Sequence, residues 1–139
     1  YDPSVDLSIL AVPGLTVGPL TLERMTASRN TDVLVLGYPG GEDFVATTAT
    51  VSDVIDLSGP DIYHTTRTTR HAYVIKGAFP QAGSSGGPLV DLGGRVLGVY
   101  FGANEEDHAT GFALTETEIE PQLANIAHSQ AVSTGACVG

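Results

Sequence analysis

The stretch "GSSGGPLVDLGGRVLGVYFG", residues 83–102, says most about the fold of this chain. It begins with a turn of glycine and serine, and Pro88 then leads into an apolar run that is typical of a strand. Gly93 and Gly94 separate this run from a second one. The stretch therefore predicts a β-hairpin with its turn at 91–94, and a hairpin after such a loop favours an all-β domain.

Apolar and β-branched runs elsewhere in the chain predict further strands on both sides of this hairpin. They lie at 5–12, 31–41, 44–57, 71–79 and 110–115. Between the first two, residues 13–30 are typical of an irregular connector. We predict an antiparallel barrel of about six strands, preceded by one extra strand.

A helix signal occurs only near the end of the chain. Thr115 with Glu118, or Thr117 with Glu120, could form a capping box at its start. Pro121 is expected in the first turn, because deeper in the helix it would remove a hydrogen bond. The apolar residues that then share one helical face are Leu123, Ile126 and Ala127.

The composition excludes several classes of protein. With 139 residues and 42% apolar side chains, the chain is long and apolar enough for one domain with a core. Its formal net charge of −10, with only 6 Lys and Arg, argues against a nucleic-acid partner. No apolar run approaches the roughly 18 residues of a membrane span, and no signal-peptide pattern begins the chain. We expect the chain to be the interior of a longer polypeptide.

The serine–glycine loop also suits nucleophilic chemistry. A serine attacks a carbonyl only when a base takes its proton and when donors stabilise the oxyanion. Glycines let backbone N–H groups turn inward, and here the N–H groups of Gly83 and Ser85 are expected to face one point. A bare Gly/Ser turn would be the simpler interpretation, but the strand before the loop and the hairpin after it favour a functional one.

These segments resemble the chymotrypsin-fold serine proteases. "GSSGGPLVDLGGRVLGVYFG" resembles their nucleophile motif, G-D/N-S-G-G-P with its hairpin, and "VDLSILAV" resembles the segment that carries their aspartate. "VLVLGYPGG" is similar to the first strand of the second barrel in HtrA-like proteases. "YDPSVDLSILAVP", "LGYPGGEDF", "LSGPDIY", "GFALT" and "STGACVG" resemble the membrane-anchored periplasmic acid-resistance (MarP-like) proteases of mycobacteria and other actinobacteria.

The resemblance implies Ser85 as the nucleophile and Asp6 as the residue that orients the histidine, with Gly83 and Ser85 as the oxyanion hole. Ser84 stands where these proteases carry Asp or Asn, so an activation that uses an ion pair of that residue is not expected. In this fold the histidine precedes the aspartate, and none precedes Asp6. His64, His71, His108 and His128 are interpreted as surface or structural residues.

We therefore expect the chain to lack most of the first barrel, including the general base, and to be inactive as it stands. Residues 1–12 would be the last strand of that barrel and 13–30 the connector. Residues 31–115 would form the second barrel, and 116–139 the C-terminal helix and tail.

The resemblance also places a substrate site. Phe101, Gly102 and Ala103 would pair with the backbone of a peptide substrate, Gly111 would line the primary pocket, and Phe79 would lie near its base. No carboxylate is expected there, which predicts apolar or small residues on the acyl side of the cleaved bond. The loop at 104–108 carries Glu105, Glu106, Asp107 and His108. These side chains could bind a cation, but a solvated acidic loop is the more common arrangement, so no metal and no cofactor are expected.

The lone cysteine, Cys137, is expected to form a disulfide with an upstream cysteine, since the resemblance implies an extracytoplasmic domain of a membrane protein. An unpaired Asp6 strand would favour an edge-paired or strand-swapped dimer. Two alternatives stay open. One is a pseudoprotease or binding module without the histidine. The other is an α/β-hydrolase, which would need a helix after the serine.

Overall fold

The computed structural model of the chain describes residues 1–77, 83–126 and 130. Within them it forms a mostly β structure whose elements are β1 (Asp32–Gly37), β2 (Val45–Pro60), β3 (Arg67–Gly77), β4 (Pro88–Asp91), β5 (Val96–Ala103), β6 (Thr110–Thr115) and α1 (Glu116–Ile126). A single 3-10 turn, Pro39–Gly41, separates β1 from β2. The predicted all-β class with a C-terminal helix is confirmed.

The six strands form a closed barrel in the order β1-β2-β3-β6-β5-β4, and every neighbouring pair is antiparallel. β1 and β4 close it, with Leu34 opposite Val90. The predicted hairpin joins β4 to β5, and its turn is held because the Gly94 N–H donates to the carbonyl of Asp91 at 3.0 Å. Closure leaves no continuous free edge along the barrel.

Alternate residues of the strands fill the barrel with apolar side chains, as the period of two requires. The buried cluster comprises Val33, Val35, Ala49, Val51, Tyr73, Ile75, Leu89, Leu97, Tyr100 and Ala113. The cluster contains two tyrosines, and the hydroxyl of one, Tyr73, donates to Glu116 Oε2 at 3.0 Å and accepts from the N–H of Ala27 at 2.9 Å. Burial and the nearby Glu116 carboxylate raise the pKa of this hydroxyl, while the Ala27 N–H opposes the shift.

β2 and β3 extend beyond the barrel as a two-stranded arm. β1 pairs with β2 only as far as Thr50, and β6 pairs with β3 only from Ala72, so the segments 56–60 and 67–71 pair with each other alone. The Arg70 Nε donates to the carbonyl of Ser4 at 3.0 Å. The arm is therefore one of the places where the N-terminal segment attaches to the rest of the fold.

The strand expected over residues 5–12 is not formed. Residues 3–6 make a turn, closed by an isolated bridge between Asp2 and Leu7, and Asp6 has a φ of 63°. A strand needs a neighbour to accept its backbone hydrogen bonds, and no strand of the described residues runs beside 8–12. Apolar and polar residues do alternate in this segment, but no described strand pairs with it, so no strand forms. The division into four segments stays a prediction.

Two expectations about the C-terminal helix are wrong. Glu118 does not cap the helix, because its carboxylate accepts the N–H of His71 at 2.7 Å. Pro121 lies inside α1 rather than in its first turn. The buried apolar residue is Ile119, whereas Leu123 and Ile126 are 45% and 43% exposed and Ala127 lies outside the described residues. Within the described residues no helix has the length and apolar character that crossing a membrane requires.

Candidate active site

Ser85 lies in the short loop that precedes β4, and its hydroxyl is exposed. The Oγ donates to the carbonyl of Phe101 on β5 at 3.2 Å. Two backbone hydrogen bonds dock the loop on the same strand, from the N–H of Gly86 to Tyr100 O at 2.8 Å and from the N–H of Tyr100 to Gly87 O at 2.9 Å. The hydroxyl is thus held against β5 and is exposed to solvent.

The loop has the conformation that only glycines adopt easily. Gly83 and Gly86 have φ values of 112° and 86°. Gly87 has no room for a side chain, since a Cβ there would lie 2.0 Å from the carbonyl oxygen of Leu36. No described residue accepts a hydrogen bond from the N–H of Gly83 or of Ser85. Those two donors are the ones predicted to form the oxyanion hole, and that assignment stays a prediction.

The structure places Asp6 in a different local environment from Ser85. Its carboxylate is exposed and accepts the hydroxyl of Tyr1 at 3.1 Å. The segment around it is attached through Arg70 and through Gln122 of α1, which donates to Asp2 Oδ2 at 2.8 Å. No hydrogen bond or ion pair among the described residues connects Asp6 with Ser85.

The histidines do not contact Ser85 through any hydrogen bond of the described residues. His71 has Nδ1 at 3.0 Å from Thr115 Oγ1 and at 3.2 Å from Thr117 Oγ1, which ties β3 to the start of α1. His64 and His108 are exposed in loops, and His128 lies outside the described residues. His71 thus has a structural environment of the kind predicted for it.

Of the residues predicted to bind substrate, Phe101 contacts Ser85 through its carbonyl. Gly102 and Ala103 pair with β6, opposite Phe112 and Gly111, whereas the pairing of β5 with β4 ends at Val99. The edge of β5 at 101–103 that faces away from β6 therefore has no strand beside it in the described part of the chain. The ring of Phe101 stacks on the ring of Phe112, with 6.2 Å between the ring centroids. Phe79 lies outside the described residues.

The acidic loop at 104–109 is held by hydrogen bonds within the fold. Asn104 Oδ1 accepts the N–H groups of Glu106 and Asp107 at 2.8 and 3.1 Å. Asp107 Oδ2 accepts from Thr110 Oγ1 at 2.5 Å and from Lys76 Nζ at 3.0 Å. These donors, Thr110 first, lower the pKa of the Asp107 carboxyl to about 2. Among the described residues no group of three His, Cys, Asp or Glu is placed to hold a metal ion.

Sequence reasoning missed two contributors to the site. Lys76 ties the acidic loop to β3, and the backbone at 36–40 packs directly against the serine loop. The Asn104 turn had a signal in "NEED", since Asn side chains commonly accept from the backbone two residues on. Lys76 had none, because its partner is distant in the chain.

A closed antiparallel barrel, with an exposed serine between glycines where a hairpin begins, defines the chymotrypsin-like class of fold. A model of the trypsin-like peptidase domain matches residues 1–99. Since that match spans most of the chain, the protein belongs to the trypsin-like peptidase family.

Two curated relatives are the serine proteases MT3772 and Rv3671c of Mycobacterium tuberculosis, each 54% identical over 139 residues, 99% of this chain and 35% of theirs. The chain thus spans about a third of their length. Against the crystal structure of the active form of the Rv3671c protease the TM-score is 0.91 at 53% identity, covering 100% of this chain and 61% of that one. Its inactive form gives 0.79 at 54% identity, over 91% and 64% of the two chains.

A more distant solved structure shares the fold. The HtrA-type protease AlgW, determined with a decapeptide, gives a TM-score of 0.70 at 24% identity and covers 91% of this chain and 39% of that one. The all-β barrel also excludes the α/β-hydrolase alternative, because β4 rather than a helix follows Ser85.

Proposed function

We propose that this chain carries the nucleophile of a serine endopeptidase that cleaves peptide bonds through an acyl-enzyme at Ser85. The observation that carries the proposal is the Ser85 hydroxyl, exposed in a glycine loop on β5 beside an unpaired strand edge. Ser85 Oγ attacks the scissile carbonyl and its proton passes to a base, which then protonates the leaving amine. Water releases the acyl group by the reverse proton transfers.

The base in this proposal is a histidine in residues that precede Asp6 in the full-length protein. Asp6 would hold the imidazole in the correct tautomer, and the N–H groups of Gly83 and Ser85 would bind the oxyanion. The 139-residue chain alone would then be inert. Its Asp6 segment, with few contacts to the barrel, would pair with a second copy in a dimer.

The substrate in this proposal is a peptide or protein with an apolar or small residue on the acyl side of the cleaved bond. The Phe101 carbonyl accepts from Ser85 Oγ and the Phe101 ring stacks on Phe112, so these two residues, with Gly111, would line an apolar pocket. The Lys76 ammonium is already paired with Asp107. A peptide library digested by the full-length protein tests this, and a strong preference for Arg or Lys would contradict it.

We further propose an extracytoplasmic, membrane-anchored setting in the cell envelope, with a role in resistance to acid or oxidative stress. This rests on the MarP-like segments of the sequence. Cys137 would there form a disulfide with an upstream cysteine. Ready alkylation of Cys137 in the oxidised full-length protein would contradict that pairing.

A binding module without catalysis is the second candidate. It is favoured by one observation, that no described histidine bonds to Ser85 or Asp6. Incubating the full-length protein with denatured protein substrates separates the two. Hydrolysis that Ser85→Ala lowers by about 10⁴ to 10⁶ supports the protease, whereas binding without cleavage supports the module. Ser84→Ala is the matched control and should keep its activity.

A further inference from the structure

Gly37, the last residue of β1, lies where a side chain would overlap Ser84. A Cβ at Gly37 would be 2.8 Å from Ser84 Oγ, 2.9 Å from its Cβ and 3.0 Å from its Cα. Gly37 is not among the glycines with positive φ, so an alanine there is compatible with the backbone. Glycine is therefore required at this position because a side chain would clash there, and not because of the backbone conformation.

The same close packing continues along the loop. A Cβ at Gly83 would lie 2.8 Å from Tyr38 O and 2.9 Å from the nitrogen of Gly40. A Cβ at Gly87 would lie 2.0 Å from Leu36 O. The backbone at 36–40 thus lies against three positions of the loop that surrounds Ser85, and backbone atoms cannot move aside as a flexible side chain can.

We propose that the 36–40 backbone is a template that fixes the serine loop, and that Gly37 is a positioning residue for the N–H of Ser85. Ser84 stands where the proteases that this sequence resembles carry Asp or Asn, and its short side chain fills the space that Gly37 leaves open. Packing, rather than an ion pair of residue 84, then sets the geometry of the loop. The inference rests on the proposed function of Ser85.

The consequence concerns the transition state more than substrate binding. An oxyanion donor works only when it is about 3 Å from the developing charge, and a 1 Å displacement near a reacting atom costs on the order of 10² in rate. Gly37→Ala must push Ser84 away and thereby shift the adjoining peptide of Ser85. Peptide-hydrolysis kcat in the full-length protein should fall by roughly 10², with KM changed by much less.

The decisive test is rescue by a second substitution. Ser84→Gly in the Gly37→Ala background removes both side-chain atoms in the clash and should recover most of the lost kcat. Ser84→Ala removes only Oγ and should recover less. Gly59→Ala is the matched control, because a Cβ there meets nothing within 4 Å and its φ is not positive. It should leave kcat and KM unchanged.

The outcomes separate this inference from the proposed function. If the Ser85→Ala protein hydrolyses peptide as fast as the parent, the proposed function fails. If hydrolysis depends on Ser85 while Gly37→Ala matches Gly59→Ala, the template fails. Should Gly37→Ala not fold, recovery of both fold and hydrolysis by Ser84→Gly supports the template, and lack of recovery overturns it.

Discussion

Glu116 is a buried carboxylate, 3% exposed, whose partners come from distant parts of the chain. It accepts the hydroxyls of Tyr73 and Thr26, and Tyr73 in turn accepts the N–H of Ala27. These bonds attach the connector at 13–30 to the barrel and to the start of α1. The contact is one that a sequence pattern does not reveal, because no local spacing relates the residues.

Removing this carboxylate should destabilise the protein. Glu116→Ala leaves the Tyr73 hydroxyl buried without its acceptor, so we expect the free energy of unfolding in urea to fall by about 2 kcal/mol. Glu120→Ala on the same helix is the control. Among the described residues its carboxylate pairs only with the exposed Arg24, at 3.8 Å, and we expect a change within about 0.5 kcal/mol. Equal losses in the two variants would contradict this view of Glu116.

Asp107 gives the site a defined response to acid. Its folded-state pKa, about 2, lies below 3.8, the ordinary pKa of an aspartate carboxyl. The stabilisation is therefore complete above about pH 4 and is lost as the pH falls towards 2. The backbone N–H of Asn104 donates to Thr110 O at 2.8 Å. We expect the protection of this N–H from hydrogen exchange to fall between about pH 4 and pH 2.

Asp107→Asn removes the titration, so its loop should show no such step between pH 4 and 2. A carboxyl NMR titration that places the Asp107 pKa at or above 3.8 would contradict the assignment. The contribution of Thr110 to this shift is local in the chain, whereas that of Lys76 could not be predicted from the sequence because Lys76 approaches from another strand.

At the scale of elements, β5 is the strand on which the site depends. It carries Phe101 and docks the serine loop, and its own position depends on close contact with β6 at Gly98. A Cβ at Gly98 would lie 2.1 Å from the carbonyl oxygen of Leu114. Gly98→Ala must therefore separate β5 from β6 or distort both.

We expect Gly98→Ala to lower the free energy of unfolding by about 3 kcal/mol or more. Gly59→Ala, on the exposed arm, should leave it unchanged or raise it slightly, because alanine loses less backbone entropy in a strand. Urea unfolding followed by circular dichroism measures both. A Gly98→Ala protein as stable as Gly59→Ala would contradict the packing of β5 on β6.

The elements also show how far local pattern reaches. The hairpin at 83–102 could be predicted because the turn, the period and the glycines all agree with the tertiary pairing. The strand expected at 5–12 does not form because no described strand lies beside it. Glu118 does not cap the helix because its carboxylate accepts the N–H of His71 on β3. In both cases a contact with another part of the chain, present or missing, decided the outcome.

For the whole molecule, the barrel is closed and Ser85, the predicted nucleophile, is exposed in the loop before β4, while its predicted base is expected outside these 139 residues. The barrel and the loop that carries Ser85 could be predicted from the sequence because each strand and the loop are continuous segments of the chain. The position of Asp6 relative to Ser85 could not be predicted, because it depends on the residues that contact the Asp6 segment. In the described part of the chain that segment contacts the arm and α1 instead.

The central claim is that Ser85 is a nucleophile that needs a base from outside these 139 residues. A fluorophosphonate probe, which labels activated serines, tests it directly on the 139-residue chain and on the protein extended at its amino terminus. We expect labelling only in the extended protein, lost on Ser85→Ala and kept on Ser84→Ala. Rapid labelling of the 139-residue chain would contradict the claim, because one of its own four histidines would then serve Ser85.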